Sequence, residues 1–196
     1  MYTVYGTPLT RSFRVLWALE EMGHPYELVK VPPQSPEVRA LNFTGKVPVM
    51  TDGDAVIPDS VAIMTYLADK HGQLTAPAGT PERARQDAMT QMLVDDIDGV
   101  QWAAARHSFI LPEDKRVPAV KDSLRWEFAR NAKRLGERIQ GPFLMGDKMT
   151  IADILCVHCL NWARTAKFEI ESDELLAYAK SLRNREAFQR VVELAK

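Results

Sequence analysis

Apolar residues recur at Val15, Leu16, Leu19 and Met22, one face of a helical repeat that begins near Ser12 and stops at Gly23. Ahead of it, Tyr2-Thr3-Val4-Tyr5 reads as a short strand ending at Gly6. Behind it, Tyr26 to Val31 is strand-like, with Tyr26, Leu28 and Val31 only partly alternating. Pro32, Pro33 and Pro36 then force a loop before a short helix through Leu41. Val49-Met50-Thr51 and Ala55-Val56-Ile57 flank Asp52-Gly53-Asp54 and predict a hairpin, Asp-Gly supplying the positive φ angles of a tight turn. A helical run from Val61 to His71 follows. The order is βαβ, then αββα, an α/β layout.

The pattern changes at Gly72 to Pro81, where Gly, Thr, Ala and Pro dominate and a linker is predicted. Strand signals almost vanish beyond it. Periodic stretches at about 82–109, 118–139, 150–163, 172–181 and 185–195 read as helices. Val120, Leu124, Phe128, Leu135 and Ile139 mark the buried face of one of them. Thr150 and Asp153 form a capping box, which concerns stability. The expected organisation is an α/β domain at 1–74, a linker at 75–81 and an all-α domain at 82–196.

Composition narrows the function. At 196 residues, with 46% hydrophobic and 26% charged side chains, the chain is an ordinary globular protein. A net charge of -1 argues against a nucleic-acid surface. No apolar run spans a membrane and no signal-peptide layout opens the chain, so a cytoplasmic location is expected. Cys156 and Cys159 are the only cysteines, too few for a disulfide framework.

The most informative segment is Asn42-Phe43-Thr44-Gly45-Lys46-Val47-Pro48-Val49-Met50, with Asp59-Ser60 following it. An X-Pro before a short strand exposes a backbone edge, and a carboxylate–hydroxyl pair opens the next helix, where N–H groups attract anions. Together they suit an extended zwitterionic peptide, paired along Val47 with a carboxylate at Ser60. This layout resembles the glutathione-binding half of the cytosolic glutathione transferases, whose pattern is roughly Asn-Pro-x-Gly-Lys-Val-Pro-x-Leu, a turn, then Glu/Asp-Ser. Phe43 and Met50 depart from it. The Thr150–Asp153 box after Gly146-Asp147 is similar to a folding signature in that family's helical domain.

The resemblance implies a thioredoxin-like first domain, glutathione as co-substrate, no metal, and a homodimer. It implies that Val47 pairs with the peptide over a cis Pro48, that Lys46 meets the glycyl carboxylate, and that Asp59 meets the α-amino group. Gly6-Thr7-Pro8-Leu9-Thr10-Arg11-Ser12-Phe13-Arg14-Val15-Leu16-Trp17 is similar to the family's Gly-Ser-Pro-x-Ser-Arg-x-Ser-Arg-Val-Leu-Trp, in which the serine before the first arginine faces the sulfur. That position is Thr10. Ser12 is the second candidate and also reads as an N-cap, while alternation leaves Tyr5 a core residue. Arg11 is placed to neutralise a carboxylate or an anionic electrophile. Trp102, Arg106 and Phe109, at i, i+4 and i+7, line the expected electrophile side, with core packing as their other reading.

The function implied is glutathione addition to a small electrophile. Glutathione-dependent reduction of disulfides or peroxides is the nearest alternative, and a non-catalytic interaction module is the third reading. Cys156-Val157-His158-Cys159 lacks a fourth metal ligand and reads as buried core thiols. Asp95-Asp96-Ile97-Asp98-Gly99 fails the calcium-loop register. Asp95 and Asp98 read as a polar helix face. His24, His71, His107 and His158 have no nucleophile partner in the sequence.

Overall fold

The computed structural model describes residues 1–139 and 141–196. Strand β1 (Tyr2–Tyr5) pairs in parallel with β2 (Tyr26–Val29), and α1 (Ser12–Met22) joins them. After α2 (Pro36–Leu41), β3 (Val49–Asp52) returns antiparallel to β1 and β4 (Ala55–Pro58) pairs antiparallel to β3. The sheet order β2-β1-β3-β4 makes a four-stranded thioredoxin-like layer, and α3 (Ser60–His71) follows β4.

Alternation explains the faces of the sheet. Tyr2 and Val4 are buried while Thr3 and Tyr5 are half-buried, so Tyr5 stands on the other face from the β1 core residues. The expectation of a core Tyr5 is corrected accordingly. Strand β2 stops at Val29, two residues short of the expected end, as the chain runs into Pro32 and Pro33. In the hairpin Asp52 pairs with Ala55, so Gly53 and Asp54 form the turn, and of these only Gly53 (φ +57°) is left-handed.

Two compact units divide the chain: Met1–Arg83 with Leu182–Lys196, and Ala84–Ser181. In the first, Val15, Leu16 and Leu19 of α1 and Ile63, Met64 and Leu67 of α3 are fully buried. The last helix, α9 (Glu186–Leu194), was grouped by the sequence with the helical region, yet it packs against α1. Phe188 lies 5.0 Å, centroid to centroid, from both Phe13 and Trp17. Arg185 and Arg190 reach across to Glu21 and Glu20, each at 2.6 Å.

The second unit is helical. The stretch expected at 82–109 is α4 (Pro81–Met92), a π-helical segment Leu93–Gly99, α5 (Val100–Ala105) and a second π-helical segment Arg106–Ile110. A short 3-10 turn (Glu113–Lys115), α6 (Val120–Gly136), α7 (Ile151–Thr165) and α8 (Asp173–Arg183) complete the run. Helix α6 ends at Gly136, leaving Ile139 outside it. Asp153, wholly buried, fixes the start of α7: its carboxylate accepts from Thr150 N (2.7 Å), Leu144 N (2.8 Å) and the Tyr178 hydroxyl (2.6 Å).

Candidate functional site

The turn Thr7–Thr10 closes with Thr10 N donating to Thr7 O at 3.0 Å and leads into the helix. Thr10 is half-buried. Its Oγ1 lies 2.8 Å from Thr7 O and 3.0 Å from Ser12 Oγ, and it accepts from Ser12 N at 3.2 Å. Ser12 itself is fully buried and stands one position inside the helix. Arg11 occupies the cap position in helical geometry (φ -59°, ψ -10°) without a side-chain cap, so Ser12 is no N-cap; a cap residue has extended backbone angles.

Gly6 makes this convergence possible. At φ +142° it adopts a backbone that side-chain-bearing residues rarely take, and a Cβ built there would overlap Ser12 Oγ and come within 3.2 Å of Val47 Cβ. The missing side chain therefore lets Ser12, the hydroxyl partner of Thr10, and the Val47 edge approach one point. The sequence marked Gly6 as a strand stop and as the first residue of the motif that runs to Trp17; its spacing of six residues from Ser12 carried no signal of this contact.

The loop before β3 is wound around Asn42, which is buried. Asn42 Oδ1 accepts from Thr44 N (3.2 Å) and Thr44 Oγ1 (2.9 Å), while its Nδ2 donates to Lys46 O at 3.0 Å. Gly45 (φ +65°) faces Gln34, whose side chain would overlap any Cβ there. Gln34 Nε2 donates to Thr44 O at 3.0 Å. This bracing presents exposed Lys46 and half-buried Val47, and the Val47–Pro48 bond is cis. Gln34 was not singled out in the sequence, and Asn42 entered only as the first residue of the motif, although Asn followed by Thr and Gly is a recognisable turn signature.

The start of α3 differs from the simple expectation of free N–H groups. Exposed Asp59 (φ +76°, ψ 130°) caps the helix, its Oδ1 accepting from Val61 N (2.9 Å) and Ala62 N (3.1 Å). Its Oδ2 has no hydrogen bond among the described residues. Ser60 is 1% exposed, and Arg14, equally buried, donates from Nη1 to Ser60 Oγ at 3.2 Å. A guanidinium in the core of α1 was invisible to the helical-face reading, which treats arginine as solvated.

Other candidates fall elsewhere. Arg11 is half-buried at the entrance to α1. Trp102 is half-buried beside Trp162, with ring centroids 6.5 Å apart, while Arg106 is exposed and Phe109 is 64% exposed. Because a π-helical turn begins at Arg106, the expected i, i+4, i+7 stripe is not kept to Phe109. Asp98 is buried rather than part of a polar face, and it accepts from the Cys159 thiol at 3.6 Å. Cys156 and Cys159 are both buried free thiols, and burial pushes the Cys156 thiol well above its usual range.

Comparisons with known proteins bear on the whole chain. The profile of the glutathione S-transferase N-terminal domain matches residues 10–70, and that of the C-terminal domain matches residues 101–186. A zeta-class glutathione S-transferase of Euphorbia esula is 30% identical over 191 residues, covering 93% of this chain and 82% of the relative. Glutathione S-transferase 1 of Triticum aestivum is 31% identical over 212 positions, covering 96% and 92%. Among solved structures, a glutathione transferase of Methylococcus capsulatus superposes with TM-score 0.88 at 25% identity, covering 100% of this chain and 98% of that one. One from Phanerochaete chrysosporium, in complex with oxidized glutathione, gives TM-score 0.84 at 25% identity over 98% and 94%.

Proposed function

Because this chain belongs to the cytosolic glutathione S-transferase family, we propose that its first unit binds glutathione and ionises the thiol for attack on a small electrophile. The observation that carries this reading is the approach of the Thr10–Ser12 hydroxyl pair and the Val47 edge around Gly6. An extended tripeptide needs both at once: a backbone to pair with and a donor for its sulfur.

The chemistry is modest and one hydroxyl meets it. A thiol of pKa about 8.5 must fall by about two units to be mostly ionised at neutral pH, which corresponds to roughly 2.7 kcal/mol. A hydrogen bond to a charged partner contributes about 1.5–3 kcal/mol, and the start of a helix about 0.3–1 kcal/mol more. Thr10 is the donor in this reading. Ser12 N already donates to Thr10 Oγ1, and a Ser12 hydroxyl turned the same way fills the second acceptor position. The Thr10 proton then leaves Thr7 O for the sulfur, and no general base is required.

Around it, Lys46 takes the glycyl carboxylate, Val47 pairs with the peptide backbone, and Ser60 with the first turn of α3 takes the γ-glutamyl carboxylate. Asp59 Oδ2 takes the ammonium. Arg11 sits where an anionic group enters, and Trp102, Arg106 and Phe109 are assigned to the electrophile. The same reading makes the protein a cytoplasmic homodimer, which light scattering tests.

The decisive experiment measures retention on immobilised glutathione, conjugation of a chromogenic electrophile and turnover of a mixed disulfide, for wild type and Thr10→Ala. Retention with conjugation that collapses in Thr10→Ala is the expected result. No retention would favour an interaction module. Retention with disulfide turnover alone would favour a reductase.

A further inference from the structure

The helical unit contains a cavity of about 100 Å³ to which no residue of the glutathione cradle contributes. Trp162, Phe109 and Phe168 form aromatic walls, and alanines leave the space between them. Lys121 and Arg125, one turn apart on α6, bring two cations to it, whereas no carboxylate belongs to the lining. Arg125 has only a loose pair at 3.9 Å with exposed Asp122, and Lys121 has no ion pair among the described residues.

Two further features set this cavity apart from a packing defect. One wall is built from the π-helical turn Arg106–Ile110, which supplies Ser108 and Phe109; such turns concentrate at functional sites because the widened winding re-aims side chains. The second is Gln101, which lines the cavity at 2% exposure. Its Nε2 donates to Cys159 O at 3.0 Å while its buried Oε1 has no hydrogen-bond partner among the described residues. A buried acceptor left open is unusual in a wall that serves packing alone.

We propose that this cavity binds a small aromatic carboxylate, its ring among Trp162, Phe109 and Phe168 and its carboxylate against Lys121 and Arg125. Flat walls favour a ring over a branched aliphatic group, through edge and offset contacts. The paired cations favour a carboxylate over a neutral amide, since Arg meets carboxylate with two parallel donors. A closed 150 Å³ apolar cavity holds benzene, so a space of about 100 Å³ takes most of one ring and leaves the carboxylate at the mouth. The lining belongs to the helical unit and shares Phe109 with the residues assigned above to the electrophile, while binding of the acid itself does not depend on the transferase reading.

The test uses 4-fluorobenzoate as the probe, followed by fluorine NMR on the full chain. Saturable binding is expected with a Kd on the order of 0.1 mM, and 4-fluorobenzamide should bind at least about tenfold more weakly. Lys121→Gln with Arg125→Gln should erase that preference, and Ala104→Leu should fill the cavity and abolish binding. Both charge changes sit on the surface of α6, so they keep the test valid if the filled variant misfolds. Equal binding of acid and amide, or unaltered affinity in the double variant, would overturn the proposal. So would displacement of the probe by saturating glutathione, which would put it in the other unit.

Discussion

Arg14 and Ser60 are 46 positions apart and both buried, and the guanidinium Nη1 of the first donates to the hydroxyl of the second at 3.2 Å. One residue belongs to α1 and the other begins α3, so the two helix starts are joined beneath the surface. Arginine offers donors only, and its bond therefore fixes Ser60 as the acceptor and turns the serine proton away. Removing the hydroxyl in Ser60→Ala should cost about 1.5–3 kcal/mol of unfolding free energy. Arg14→Met should cost more, and the double variant less than the sum by about 0.5–3 kcal/mol. Urea unfolding of the four proteins measures this. Additive losses would mean that the pair is not coupled.

Gly6 offers a sharper test. In Gly6→Ala the new methyl collides with Ser12 Oγ and the φ of +142° becomes strained, a cost of about 1–3 kcal/mol. The variant should melt lower and lose both glutathione retention and conjugation. Wild-type retention in a folded Gly6→Ala protein would show that the convergence at residue 6 is irrelevant to the ligand.

At the hydroxyl pair, Thr10→Ser keeps the donor and relaxes the rotamer, so kcat/KM should hold or rise. Thr10→Ala should lower it by roughly 10- to 100-fold, in line with about 1.4–2.7 kcal/mol of lost thiolate stabilisation. The titration of bound glutathione's thiol, read by ultraviolet absorbance of the thiolate, should shift upward in parallel. A thiol pKa that stays put would clear Thr10 of the role.

These two sites also show what can be read without coordinates. Glycine, proline and apolar spacing carry the order of strands and helices because backbone sterics act over a few residues. Val47 and Ser60 were marked by the X-Pro edge and by the carboxylate–hydroxyl pair beside a helix start, and Thr10 by the resemblance of its neighbours to the family motif. Arg14 and Gln34 were not marked. Their importance comes from partners in other elements, Ser60 for one and the Gly45 turn for the other, and helical periodicity says nothing of such pairs. The π-helical segments were missed for a related reason: an apolar repeat does not report which carbonyl each amide chooses.

Acid should loosen the first unit through His71. Burial, then the neighbouring His24, whose ring stacks on it at 3.6 Å, hold the His71 imidazole below its ordinary value of 6.5. A depressed histidine favours the folded state when neutral. Its contribution is complete above pH 6.5 and is lost as pH falls through the lower folded value. His71→Asn should flatten the melting temperature between about pH 7 and pH 5. An unchanged slope would place the acid sensitivity elsewhere.

In the second unit, Asp153→Ala removes the acceptor for Leu144 N, Thr150 N and the Tyr178 hydroxyl together. Burial raises the pKa of this carboxyl, and the bonds it accepts work against that rise. Losing the acceptor leaves buried donors stranded at about 1–3 kcal/mol each, so the melting temperature should drop by well over 5 °C for a unit of this size (about 1 kcal/mol per 4–8 °C). Calorimetry reads the change directly, and a shift of under about 2 °C would refute the central role given to Asp153.

The seating of α9 on α1 has a bearing on biosynthesis. Phe13 and Trp17 are made before the helical unit, whereas Phe188, which covers them, is made after it. Until α9 has been made, the nascent first unit holds an uncovered aromatic strip and two glutamates, Glu20 and Glu21, awaiting Arg190 and Arg185. A message cut short ahead of α9 would yield a protein with its earliest helix permanently unfinished.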